Sequence, residues 1–307
     1  MPTAALTLPS SFCTALPRQI MVVLYIQLTL GLASMGAWAL TGDVIWVLEY
    51  FRYAGSMFLL FTCVVEAWAA FMTWRSFLPG EPMELSWFLL LMAGACRAGG
   101  TFIAHIVAPL LPEAGQLLVT GPAREMGLAI SGPMHMALMA GGLGIAIRCY
   151  RRLGLVGRLR SADYLIITIS LTFAAHQIHE VIQYFPQFAR RLSPFNYITL
   201  VTDLMLTVLT LEAVVLWRSS RRMRGGLLGK CWGAYSAGIL LTSLGDVGLW
   251  ASSWGHIPWP LGSITWFIWF PAAAAFALGP AYQYSALVRA RSAASAVEVV
   301  PGEAVRG

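Results

Sequence analysis

The chain is predicted to be an all-α polytopic integral membrane protein, an eight-helix transmembrane bundle with both termini in the cytoplasm. Three observations predict it. Hydrophobic residues make up 58% of the 307 residues and charged residues only 11%, against roughly a quarter charged in a water-soluble domain. The apolar residues gather into runs of spanning length. The arginines fall in short blocks between those runs, as topology signals do.

A spanning helix takes about 20 mostly apolar residues, and such segments run at 20–41, 44–74, 85–111, 125–148, 163–185, 195–217, 230–254 and 260–287. Breaks fall at turn-forming residues: Thr41-Gly42-Asp43, Pro79-Gly80-Glu81-Pro82, Gly121-Pro122 and Ser193-Pro194. The first 17 residues lack a basic n-region and are followed by an apolar run of spanning length, so an uncleaved first helix preceded by a short cytoplasmic segment, 1–19, is expected. Residues 288–307, rich in Ala, Val and Ser, read as a disordered cytoplasmic tail. The eight helices divide arithmetically into two groups of four, without a convincing sequence repeat.

Charge placement tests the count independently. With eight spans, one side receives Arg18, Arg75, the blocks Arg148 to Arg160 and Arg218 to Lys230, and Arg289, Arg291 and Arg306, fifteen basic residues in all. The other side receives three, Arg124, Arg190 and Arg191, while Arg52 and Arg97 lie within helices. Fifteen against three puts both termini inside. Tryptophans fit the same frame, with Trp46, Trp250, Trp254 and Trp259 near the outer boundary and Trp74, Trp87, Trp217 and Trp232 near the inner one.

Several function classes drop out. The net charge of +6 is spent on topology, so nucleic acid is not a partner; the lipid bilayer is, and a membrane protein partner is possible. The only lysine, Lys230, sits at a helix edge, which excludes a mid-membrane retinal Schiff base. The five cysteines have no CxxC spacing and indicate neither disulfides nor a zinc ribbon. Gly141-Gly142-Leu143-Gly144 lies inside a span and is a packing stretch, not a nucleotide loop.

Ionisable side chains inside the bilayer are costly, so each asks for a partner, a cavity or a function. His105, His135, His176, His179, Glu180, Asp203 and Asp246 lie at one depth on five helices, roughly 8 to 15 Å from the outer ends. Helices 1 and 8 contribute none and are expected at the periphery. Helix 5 reads His176-Gln177-Ile178-His179-Glu180, so His176, His179, Glu180 and Gln183 share one face. That face is expected to look inward. The four histidines then become candidate ligands for haem b, copper or zinc, with Met134, Met136 and Met139 as soft neighbours. Glu180, Gln183, Asp203 and Asp246 become their hydrogen-bonding supports or a proton relay.

Two structural ion pairs are expected: Glu66 with Arg97 across helices at matched depth, and Glu49 with Arg52 along one helix. Glu212 is expected to snorkel to the interface and His256 to lie there. Three functions fit: a metal or haem protein of redox or metal-handling type, a proton-coupled transporter or channel, and a non-catalytic membrane subunit, assembly factor or receptor. The first predicts that His135→Ala and His179→Ala both abolish function.

Overall fold

The computed structural model describes residues 10–110, 122–188, 194–223, 226–253 and 264–298, and all regular structure among them is helical. Eight helices follow in order: α1 (Ser10–Thr41), α2 (Ile45–Trp74), α3 (Glu84–Leu110), α4 (Pro122–Arg152), α5 (Ser161–Phe188), α6 (Pro194–Arg222), α7 (Leu227–Ser253) and α8 (Trp266–Glu298). α1 to α4 and α6 are long and apolar enough to cross a membrane. α5 mixes its aliphatic residues with Thr, Ser, His and Gln, α7 with Gly, Ser and Trp, and α8 with Trp, Tyr and Pro.

Local chemistry sets the ends. α1 stops where Gly42 turns left-handed (φ 72) and its N–H reaches the Trp38 carbonyl at 2.8 Å. Asp43 Oδ1 then accepts the Ile45 N–H at 3.0 Å and starts α2. α4 ends at Gly154 (φ 69), with the Leu155 N–H returning to the Tyr150 carbonyl at 2.9 Å. α2, α3 and α4 each contain one π turn, at Tyr50–Gly55, Ile103–Val107 and Ile130–Met134. In α4 this turn holds Pro133, which has no N–H to donate, and it re-aims the side chain that follows, His135.

The helices pack as a ring with two outriders. The principal contacts run α2–α3–α4–α6–α7–α8 and close from α8 to α2, while α1 lies against α8 and α2 from outside and α5 lies against α6. Each half of the chain thus supplies one outer helix and three ring helices. A large apolar cluster fills the ring, from Ala70, Trp87, Met139, Leu143, Leu209, Trp232, Tyr235 and Phe276. A second cluster, including Ile20, Phe51, Phe58, Phe270 and Ala277, joins α1, α2 and α8.

α8 corrects the expectation that it is peripheral. It is the most buried helix, because Ala272, Ala273, Ala274, Ala275, Ala277 and Ala281 let α1, α2 and α7 approach closely. It also continues to Glu298, through residues expected to begin a disordered tail. Its alanines and arginines there are good helix formers. α1 is outside as expected, exposing Val22, Tyr25, Ile26 and Leu30, and α5 exposes Leu165, Ile169 and Leu171. Apolar surface of this extent marks a face made for contact rather than for water.

Candidate functional site

The ring interior carries a buried polar cluster built from α2, α3, α4 and α7. Glu66 on α2 is 0% exposed. Arg97 stands in the small-residue stretch Gly94 to Gly100 of α3, and Gly94 lets that helix approach the α2 backbone, since a Cβ on Gly94 would sit 3.0 Å from the Ala67 Cα. Arg97 Nη1 donates to Glu66 Oε2 at 2.7 Å. Its guanidinium also lies 4.7 Å from the centroid of the Phe276 ring, a cation–π contact that replaces part of its lost hydration.

His135 follows the π turn of α4 and is 4% exposed. Its ring meets Phe276 edge-on at 6.3 Å and lies within electrostatic reach of Arg97. Neither ring nitrogen makes a hydrogen bond of normal geometry, although the Ser131 carbonyl lies beside it. Tyr235 on α7 is 0% exposed, 6.4 Å from Phe276 and within reach of Glu66 and Arg97. Glu66 Oε1, the Trp87 indole nitrogen, both His135 nitrogens and the Tyr235 hydroxyl are all buried without a hydrogen-bond partner. Each such atom costs about 1–3 kcal/mol. Glu66, His135 and Tyr235 lie close enough to Arg97 for its charge to act on each of them.

Aromatic rings close the arginine-rich end beneath this cluster. Trp87 and Trp232 lie 5.8 Å apart, Trp232 and Tyr235 5.9 Å, and Trp232 Nε1 donates to the Tyr150 hydroxyl at 2.6 Å. Toward the opposite end, Gln177 Nε2 of α5 donates to Asp203 of α6 at 3.0 Å. Asp246 of α7 lies within electrostatic reach of Asp203 and meets the Trp269 indole of α8. Tyr235, Ile239, Ser243 and Asp246 are spaced by three and four residues and share one face of α7. Partway along it, Ser243 hydrogen-bonds Thr210 of α6 at 2.7 Å. Tyr235, Ser243 and Asp246 thus share one face of α7, with buried, apolar Ile239 between the first two.

The single layer expected of the histidines and carboxylates separates into distinct places. Asp203 and Asp246 come together; His135 joins Glu66 and Arg97; half-buried His105 sits in the π turn of α3 near Arg124. His176, His179 and Gln183 are exposed on α5, which corrects the inward orientation expected of that face. The cause is that α5 packs chiefly on α6 and uses Gln177 for the contact. Glu212 corrects a second expectation: its Oε2 is buried without a partner and its Oε1 faces Gly144 of α4, so it turns into the bundle. The side chains of Glu180 and Arg52, and with Arg52 the pair it would form with Glu49, lie outside the described residues, as do Trp254, His256 and Trp259.

The described donors form no ready ligand set for copper or zinc. Among the described residues, no three His, Cys, Asp or Glu side chains come together as a ligand set, and Arg97 holds a cation near His135. A haem plane on His135 would compete with Phe276 for the space at that ring. Sequence reasoning missed Tyr235, Trp87 and Phe276, which carry no charge. The signal available for Tyr235 was its register with Ser243 and Asp246 on α7. Comparison with protein-family models, with characterised proteins and with solved structures finds no match to this chain.

Proposed function

We propose that the protein spans the membrane eight times with both termini in the cytoplasm and moves protons, alone or with a small polar solute, through the interior of its helix ring. The observation that carries this is the buried cluster of Glu66, Arg97, His135 and Tyr235, with polar atoms left without partners at its centre. Chains of Asp, Glu and His in an apolar bundle are the usual substance of proton relays. The carboxylates Asp203 and Asp246 supply a second station toward the other end, and the aromatic floor of Trp87, Tyr150 and Trp232 supplies a closed gate. The apolar outer faces of α1 and α5, and the fifteen-to-three distribution of basic residues, support the insertion and its direction.

The test is reconstitution into liposomes holding a pH-sensitive dye, with a potassium diffusion potential imposed by valinomycin. Protein-containing vesicles should acidify faster than empty ones, and removing the potential should abolish the difference. Proton entry at the empty-vesicle rate, with and without an imposed pH gradient, would contradict it.

A second reading, a membrane subunit without transport activity, is favoured by α5 alone. Its exposed His179 and Gln183 are polar groups on a helix that touches chiefly one neighbour, and a partner helix would shield them from lipid. Stoichiometric copurification of another membrane protein, lost on replacing His179 and Gln183 by leucine, would support it.

A further inference from the structure

At the arginine-rich end, two contiguous clefts of about 370 and 350 Å³ lie between α5, α6, α7 and the segment before α5, sharing Arg160, Arg218 and Arg221. One is bounded chiefly by apolar side chains, among them Ile166, Val214, Trp217 and Leu240. The other is lined by Arg158, Arg160, Arg218, Arg221 and Arg222. We propose that this double cleft binds one anionic phospholipid, with the headgroup phosphate on the arginines and the start of an acyl chain along the apolar half.

The cleft is built rather than assembled from loose side chains. Asp163, in the first turn of α5, accepts hydrogen bonds from the Arg160 N–H at 2.6 Å and from the Arg218 guanidinium. Arg222 Nη1 donates to the Gly154 carbonyl at 3.2 Å, and Gly157 lies against Arg218, where a Cβ would stand 2.8 Å from its Cβ and carbonyl oxygen. Arg221 rests over the Trp217 ring at 5.2 Å. Five arginines therefore line the double cleft with one carboxylate, a surplus of four positive charges. Membrane orientation needs basic residues on that side but does not require them to face one concavity. A surplus of positive charge on one concavity favours an anion, and guanidinium matches a phosphate in charge and in fork geometry. The apolar half selects a phosphate that carries a hydrocarbon chain, and basic pockets between helices at a membrane face have this use.

The inference rests on the membrane reading above and not on proton movement, so it is tested without flux. Purified protein in detergent is titrated with phosphatidylglycerol and with phosphatidylcholine of the same acyl chains, and bound lipid is counted by native mass spectrometry. Phosphatidylglycerol should bind at least about tenfold more tightly, and Arg158→Ala should remove about fivefold of that preference. Combined Arg158→Ala, Arg160→Ala and Arg221→Ala should bring the two lipids to parity. Arg158 is exposed, so its single variant keeps the test alive if the triple variant fails to elute as folded protein. Equal binding of the two lipids to the native chain, or full preference in both variants, would overturn the proposal. Displacement of phosphatidylglycerol by millimolar inorganic phosphate would also overturn it, by assigning the cleft to the free anion.

Discussion

His135 and His179 are the same residue type on neighbouring spans in sequence, and the fold treats them oppositely. His135 is enclosed by α3, α4 and α8, next to an ion pair. His179 is exposed on α5, outside the ring. The difference teaches that depth along a helix and direction around it are separate quantities. Depth follows from counting residues, at 1.5 Å each. Direction depends on which neighbours the helix meets, and α5 meets α6 through Gln177 rather than through its histidines.

Four substitutions, two of them with a companion variant, sharpen or break this contrast between ring interior and outer helix. The largest effect is expected for Arg97→Ala, which strands a fully buried Glu66 carboxylate and should cost about 3–5 kcal/mol in thermal unfolding followed by tryptophan fluorescence in detergent. Adding Glu66→Gln should recover part of that loss; no recovery would remove the ion pair as the cause. Next comes Gly100→Ala on α3, because a Cβ there would lie too close to the Gly127 backbone of α4. Overpacking of this kind costs about 1–3 kcal/mol. Its neighbour Gly99 has nothing within 4 Å of a Cβ, so Gly99→Ala should be neutral or stabilise by up to about 1 kcal/mol.

The third substitution is His135→Leu, which removes two buried nitrogens without partners. It should leave stability unchanged or raise it by about 1–3 kcal/mol while abolishing proton entry into vesicles. Loss of folded protein instead would show that the imidazole is structural. The smallest effect is expected for His179→Leu, within about 0.5 kcal/mol of the native chain and with proton entry intact. A large loss there would restore the inward-facing reading of α5.

Much of the fold is legible in the sequence because its signals are one-dimensional. Segments of apolar residues broken at Gly42, Gly80 and Pro194 lie within a few residues of the observed helices, except that α1 and α8 run further at the chain ends. The meeting of Glu66 and Arg97 could be drawn from matched depth, since a buried arginine and a buried glutamate on adjacent helices satisfy one another more cheaply than either stands alone. What could not be read was azimuth. α8 lacks ionisable residues in its span, which suggested a lipid-facing helix, yet its alanine run is what admits three neighbours. Misplacing α8 hid Phe276, the ring that Arg97 and His135 share. The π turn at Ile130–Met134, which aims His135 inward, has only Pro133 as a sequence trace.

The central claim is that the interior cluster, and not the histidines of α5, does the protein's work. It is tested most directly by measuring voltage-driven proton entry into dye-loaded liposomes for the native chain, His135→Leu and His179→Leu at equal protein load. The account predicts entry with the native chain and with His179→Leu, and the empty-vesicle rate with His135→Leu. Entry that survives His135→Leu but disappears with His179→Leu would contradict it.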